Sequence, residues 1–130
     1  SLRVSIIKIT SVADINNSIL QKLGAREMIT QRRVFQAKVG QAGAVVAKMK
    51  EFKPTFEKYG GPDSRIYTDL LSGNTDRIVW EFDTDNLTSL ENIFVTAGQN
   101  PDYQKIYGSW YEEMMPLIDG AFVELWNREL

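Results

Sequence analysis

The spacing of apolar residues switches repeatedly along this chain between two and three-to-four, and each switch predicts a change of element. Arg3 to Ile9 carries Val4, Ile6 and Ile7 and reads as a short strand. Val12, Ile15, Ile19, Leu20 and Leu23 then recur at helical spacing, with Ser11 placed to cap the start and Gly24 to end it. The next segment, TQRRVFQAKVG, alternates as a strand does: Arg33, Phe35, Ala37 and Val39 share one face, and Arg32, Val34, Gln36 and Lys38 the other. Beyond Gly40, the residues Ala42, Val45, Val46, Met49, Phe52 and Phe56 form one helical stripe, within which Pro54 is expected to kink the helix or start a new turn.

YGGPDS, residues 59–64, breaks the pattern. Two strands follow, RIYTDLLS and DRIVWEFDT, joined by a short SGNTD hairpin loop. In the second, Ile78, Trp80 and Phe82 oppose Arg77, Val79, Glu81 and Asp83. DNLTSLENIFVTAG predicts a helix capped by Asp85 or Asn86. NPDYQKIYGSWYEEMMPLI predicts another, with Asn100 as its cap, Pro101 in its first turn and Pro116 at its end. Its aromatic stripe of Tyr103, Ile106, Tyr107, Trp110, Tyr111 and Met114 is expected to be chiefly a core face, with one of the phenols free to enter a pocket. GAFVELW, residues 120–126, closes the chain as a strand.

From residue 31 to 127 the order is β-α-β-β-α-β, the ferredoxin-like pattern of an α+β domain. Residues 1–30 add an N-terminal β-α extension, and 130 residues fit one domain. The same order occurs in RNA-recognition modules, whose third strand is basic and contains Gly. Here that strand, RIVWEFD, holds two acids and no Gly, so no nucleic-acid partner is expected.

Composition narrows the chemistry. Lys and Arg total 15 against 17 Asp and Glu, a net charge of −2, which suits neither phosphate neutralisation nor a polybasic membrane surface. With no Cys there is no disulfide or thiolate, and with no His the commonest general base, zinc ligand and proximal haem ligand are all missing. No cofactor and no metal site are expected, and no phosphate-binding glycine motif occurs. The apolar run in SLRVSIIKIT is too short for a spanning helix, so a cytoplasmic protein is expected.

Three stretches carry a family resemblance: VFQAKVGQAGAVVAKMKEF, RIVWEFDTDNLTSLE and NPDYQKIYGSWYEEMMPLI. Together they resemble the dimeric α+β barrel superfamily over Arg32 to Trp126, and are most similar to its NIPSNAP-like group. The resemblance implies a homodimer in which two sheets meet face to face. It also implies a pocket between sheet and helices or between the sheets. Some members of the superfamily are cofactor-independent monooxygenases or isomerases.

Polar side chains interleaved with apolar ones on the strands are the pocket candidates, because a charge on an apolar face needs a partner. Arg33, Tyr67, Trp80, Tyr107 and Glu124 are the candidate ligand-binding residues, and Tyr67, Asp69 and Glu81 the candidate catalytic ones. Three functions fit. A binding protein would hold a small hydrophobic or aromatic molecule. A cofactor-independent monooxygenase or isomerase would gather polar groups near Tyr67, Trp80 and Glu81. A protein-interaction module would present Val12, Ile15 and Ile19.

Overall fold

The computed structural model describes residues 28–130. The expected N-terminal β-α extension lies outside the described residues. Strand β1 (Met28–Ala37) is followed by helix α1 (Ala42–Lys58), then β2 (Ser64–Thr68) and β3 (Arg77–Thr84). Helices α2 (Leu87–Gly98) and α3 (Pro101–Met114) and a 3-10 turn lead to β4 (Ile118–Arg128). The sheet order is β2-β3-β1-β4, with every neighbouring pair antiparallel. This is the ferredoxin-like arrangement, except that the second helical position holds two helices.

Helix α1 forms because its apolar residues fall on one side: Val45, Met49, Phe52 and Phe56 are buried. It runs through Pro54 as a single helix. Pro54 offers no N–H to the Lys50 carbonyl, but both positions are exposed, so water can take that acceptor. No new helix starts at Pro54. Gln41 precedes α1 without a side-chain cap. Asp76, from the β2–β3 loop, accepts from the Gly40 and Ala42 N–H groups at 3.1 and 3.4 Å instead.

Asn86 caps α2 through a bond from Ser89 N, and Asn100 caps α3 through Asp102 N and Tyr103 N, as the sequence suggests. Two strand boundaries move. β2 stops at Thr68, so Asp69, Leu70 and Leu71 belong to a wide loop, not to a strand beside a five-residue turn. Asp69 Oδ1 accepts from Ser72 N at 2.7 Å, and Gly73 adopts a φ of +104°. That local side-chain turn competes with the ladder and ends it. β4 extends beyond residues 120–126 at both ends because β1, from Met28, offers it partners along its whole length.

All three helices pack on one face of the sheet. Phe35, Ile78 and Phe82 from the strands meet Met49, Phe52 and Phe56 of α1, Leu90 of α2, and Trp110 and Met114 of α3. The aromatic stripe of α3 is a narrower core face than the pattern suggests. Trp110 and Met114 are buried, Tyr103 and Tyr107 are half-buried, and Ile106 and Tyr111 are exposed. Among the described residues, no helix is long and apolar enough to cross a membrane.

Candidate functional site

Between the helix-covered face of the sheet and the helices the packing leaves a cavity of about 290 Å³. Strand alternation decides what enters it. From β1 come Gln31, Arg33 and Phe35, two residues apart and therefore on one face. From β3 come Trp80 and Phe82, and from α1 Phe52 and Phe56, spaced by four. Helix α2 adds Phe94, Ala97 and Gly98 at its end, and α3 adds Tyr103, Tyr107 and Trp110.

The walls are an aromatic lattice. Phe52 stacks on Trp110 with centroids 4.7 Å apart, and meets Trp80 edge-on at 6.3 Å. Tyr103 and Tyr107 stack at 6.1 Å with their planes 12° apart. Trp110 is fixed from behind by its Nε1, which donates to the Lys48 carbonyl at 2.7 Å. Trp80 Nε1 is buried with no hydrogen-bond partner among the described residues.

Polar groups are few. Gln31 is only 6% exposed, and its side-chain amide makes no hydrogen bond to the described residues. Arg33 makes no ion pair with a described carboxylate. Burial pushes the Tyr103 phenol above its ordinary range, the neighbouring Tyr107 adds to this, and the positive charge of Arg33 pulls it partly back. Tyr103 is consequently a neutral hydroxyl at physiological pH, a donor and not a base. No carboxylate stands among the described lining residues.

The opposite face of the sheet is chemically different. Glu81 accepts from Arg32 Nε at 3.1 Å on one oxygen and from Arg65 Nε at 3.0 Å on the other. Arg65 also grips Asp83 through Nη1 and Nη2 at 3.0 and 3.2 Å, and Arg128 and Thr30 reach Asp83 at 3.2 and 2.6 Å. Burial alone would raise the Glu81 carboxyl, but the bonds from Arg65 and Arg32 outweigh it and hold it below the usual carboxylate range. Asp83 is lowered chiefly by Arg65, against the opposing effect of burial. Both acids are committed carboxylates in an ion-pair network.

The sequence candidates therefore separate. Arg33, Trp80 and Tyr107 come together in the cavity. Glu81 lies across the sheet from it. So does Tyr67, paired with Val79 and 48% exposed, and Glu124, paired with Arg32. Asp69 sits in the β2–β3 loop, occupied with Ser72. The expected convergence of polar groups near Tyr67, Trp80 and Glu81 does not form, because residues 80 and 81 of one strand must face opposite ways. Gln31 was not among the candidates, and Tyr103 was named only as one of the α3 phenols free to enter a pocket. The alternation that places Arg33 beside Phe35 would have placed Gln31 there too, and the stripe of α3 already contained Tyr103.

An antiparallel sheet in this order, with helices on one face and an aromatic cavity between the layers, defines a ferredoxin-like α+β domain. Among solved structures its fold is that of NIPSNAP proteins. The chain is similar to a NIPSNAP family protein of unknown function from Agrobacterium tumefaciens, with 15% identity over 79% of this chain and 89% of that one, at a TM-score of 0.66. It is similar to a NIPSNAP-like domain protein from Burkholderia xenovorans, with 12% identity, 79% and 86% coverage and a TM-score of 0.64. A protein of unknown function from Bacteroides thetaiotaomicron, described as a possible oxidoreductase, aligns at 12% identity over 80% of this chain and all of that one, with a TM-score of 0.55. No protein-family model and no curated protein matches the sequence.

Proposed function

We propose that this NIPSNAP-like chain binds a small aromatic or hydrophobic molecule in the cavity between its sheet and helices. The observation that carries this is an aromatic-walled cleft that the described residues leave open between sheet and helices. A concave apolar site with a small number of polar groups is the usual form of a ligand pocket. Binding is favoured over base-assisted catalysis by the lining itself, whose described residues offer a neutral phenol and a guanidinium but no carboxylate.

A series of naphthalene derivatives titrated against the protein tests the reading, because Trp80 and Trp110 line the cavity and report occupancy by fluorescence. Saturable quenching is expected. Ala97→Leu, which fills the cavity from α2, should abolish it without unfolding the protein. Quenching that is linear, or unchanged in the filled variant, would defeat the proposal.

The open face of the sheet supports a second part of the proposal, a homodimer. Val34 pairs with Val79 on one side and Phe122 on the other, and Val79 pairs with Tyr67, giving an apolar row across the sheet. Phe122 and Trp126 on this face are 57% and 55% exposed. The adjacent row runs Arg65, Glu81, Arg32, Glu124 and alternates in sign. A two-fold axis would bury the apolar row on both copies and let the alternating row face its own complement.

A further inference from the structure

We propose that the occupant of the cavity is an aromatic monocarboxylate, its carboxylate held by the Arg33 guanidinium beside the Gln31 amide. This rests on the preceding reading that the cavity binds an aromatic molecule, and names the charge that molecule carries.

The two faces of the sheet make the case by contrast. On the open face Arg32, Arg65 and Arg128 all pair with Glu81 or Asp83. Arg33 is one residue from Arg32, and the strand's alternation turns it into an aromatic cavity whose described lining holds no acid. A guanidinium does not lose its proton, so it cannot lower the cost of burial by becoming neutral. No described carboxylate pairs with its charge. The planar fork of an arginine matches the two oxygens of a carboxylate, and bonds of that kind are stronger than those between neutral groups.

Gln31 adds a second polar group: it lines the same cavity, and its side-chain amide is bonded to no described residue. Gln31 and Arg33 stand two residues apart on one strand face, close enough to share one ligand head group. Against them the cavity presents flat rings: Phe52, Trp80, Tyr107 and Trp110 pack on one another with centroids 4.7 to 6.3 Å apart, the spacing of stacked and edge-on aromatic pairs. The volume of about 290 Å³ is at the small end for ligand pockets and suits one or two fused rings. One cation and no acid in the described lining select a single negative charge, because a second would enter an apolar wall uncompensated.

The test compares 2-naphthoate with its neutral counterpart 2-naphthamide, by calorimetry and by tryptophan fluorescence. The acid is expected to bind about tenfold or more tightly than the amide, the ratio expected of a charge-assisted bond. Arg33→Gln should remove that preference while leaving 2-naphthamide within about twofold of its original affinity, since the rings are untouched. Gln31→Glu, which places a carboxylate beside Arg33 from within, should do the same and covers the case in which Arg33→Gln fails to fold. Equal binding of both probes to the unaltered protein would overturn the acid while sparing the aromatic cavity. An Arg33→Gln effect that weakens both probes alike would do the same. Failure of both probes to bind would overturn the acid and the cavity reading together.

Discussion

Arg32 and Arg33 are consecutive on β1 and lie on opposite faces of the sheet, one bonded to the carboxylate of Glu81 at 3.1 Å and the other set in an aromatic cavity. That single alternation separates the molecule's two polar systems. One is closed, with each charge answered by another. The other is open, and it is where a ligand is expected.

The closed system fixes how stability depends on pH. Glu81 and Asp83 have carboxyls held below their usual range in the folded protein. A carboxyl lowered on folding adds stability that is fully present above its unfolded-state value. That stability is lost as pH falls through the folded-state value. The loss is therefore confined to acid, below about pH 4, with little change from there to neutrality. Glu81→Gln should cost about 1–2 kcal/mol at neutral pH, discounted because Arg32 and Arg65 are each 42% exposed, and should flatten the acid limb. Urea unfolding at a series of pH values measures both. An acid limb as steep in the variant as in the parent would show that the network does not control it.

Asp76 joins the β2–β3 loop to the start of α1, and two of its properties can be separated. Its carboxylate accepts from Gly40 and Ala42, and its backbone sits at a φ of +60°. Asp76→Ala loses the cap and puts a Cβ-bearing residue without a helpful side chain in the left-handed region. The expected cost is about 1–2 kcal/mol. Asp76→Gly loses the cap but relieves the backbone and should cost less. Asp76→Asn keeps an acceptor and tolerates the conformation, so it should cost least. Thermal unfolding of the three variants should give that order, and Gly falling below Ala would show that the backbone conformation carries no cost.

Much of the fold was legible because it depends on periodicity. The α1 stripe, the Asn100 cap and the alternation of β3 all follow from spacing and cap chemistry alone, while for α2 the sequence allows Asp85 or Asn86 and the cap proves to be Asn86. What was missed does not follow from periodicity, because it lies in side-chain turns and in how the layers are stacked. The strand pattern of RIYTDLLS continues through Leu70 and Leu71, yet these are 90% and 97% exposed because Asp69 turns the chain locally. At the site, alternation split residues into two faces but could not tell which face the helices cover. Arg33 and Glu81 were therefore equal candidates until the helices were placed. Tyr67, Asp69 and Glu124 were plausible for the same reason, and lie away from the cavity.

Gly61 tests how tightly the core is closed at its edge. A Cβ built at Gly61 would fall into the Phe56 ring, which is itself buried against Trp80 and Phe82 and cannot easily turn aside. Gly61→Ala should cost about 1–3 kcal/mol through overpacking. Gly43→Ala is the control. It lies on the exposed side of α1 with open space around it, and should stabilise by about 0.5–1 kcal/mol through helix propensity. Equilibrium unfolding of the pair should give shifts of opposite sign.

The homodimer proposal makes the most direct demand on a single residue. Val79 lies on the open face between Tyr67 and Val34 in the ladder, while its neighbour Trp80 faces the cavity. Val79→Glu should therefore leave the protomer's core intact and introduce a carboxylate only where a second sheet would meet it. Buried without a partner in that interface, the charge should turn a dimer into a monomer and lower the melting temperature. Phe122→Glu should do the same from β4, since Phe122 is more than half exposed in the protomer and contributes little to its own fold. Trp80→Ala should instead leave the assembly unchanged and weaken ligand quenching. Light scattering on the unaltered protein and these three variants decides the matter. A folded, stable monomer for the unaltered chain at high concentration would end the dimer proposal, and the apolar row from Tyr67 to Phe122 would then need another partner.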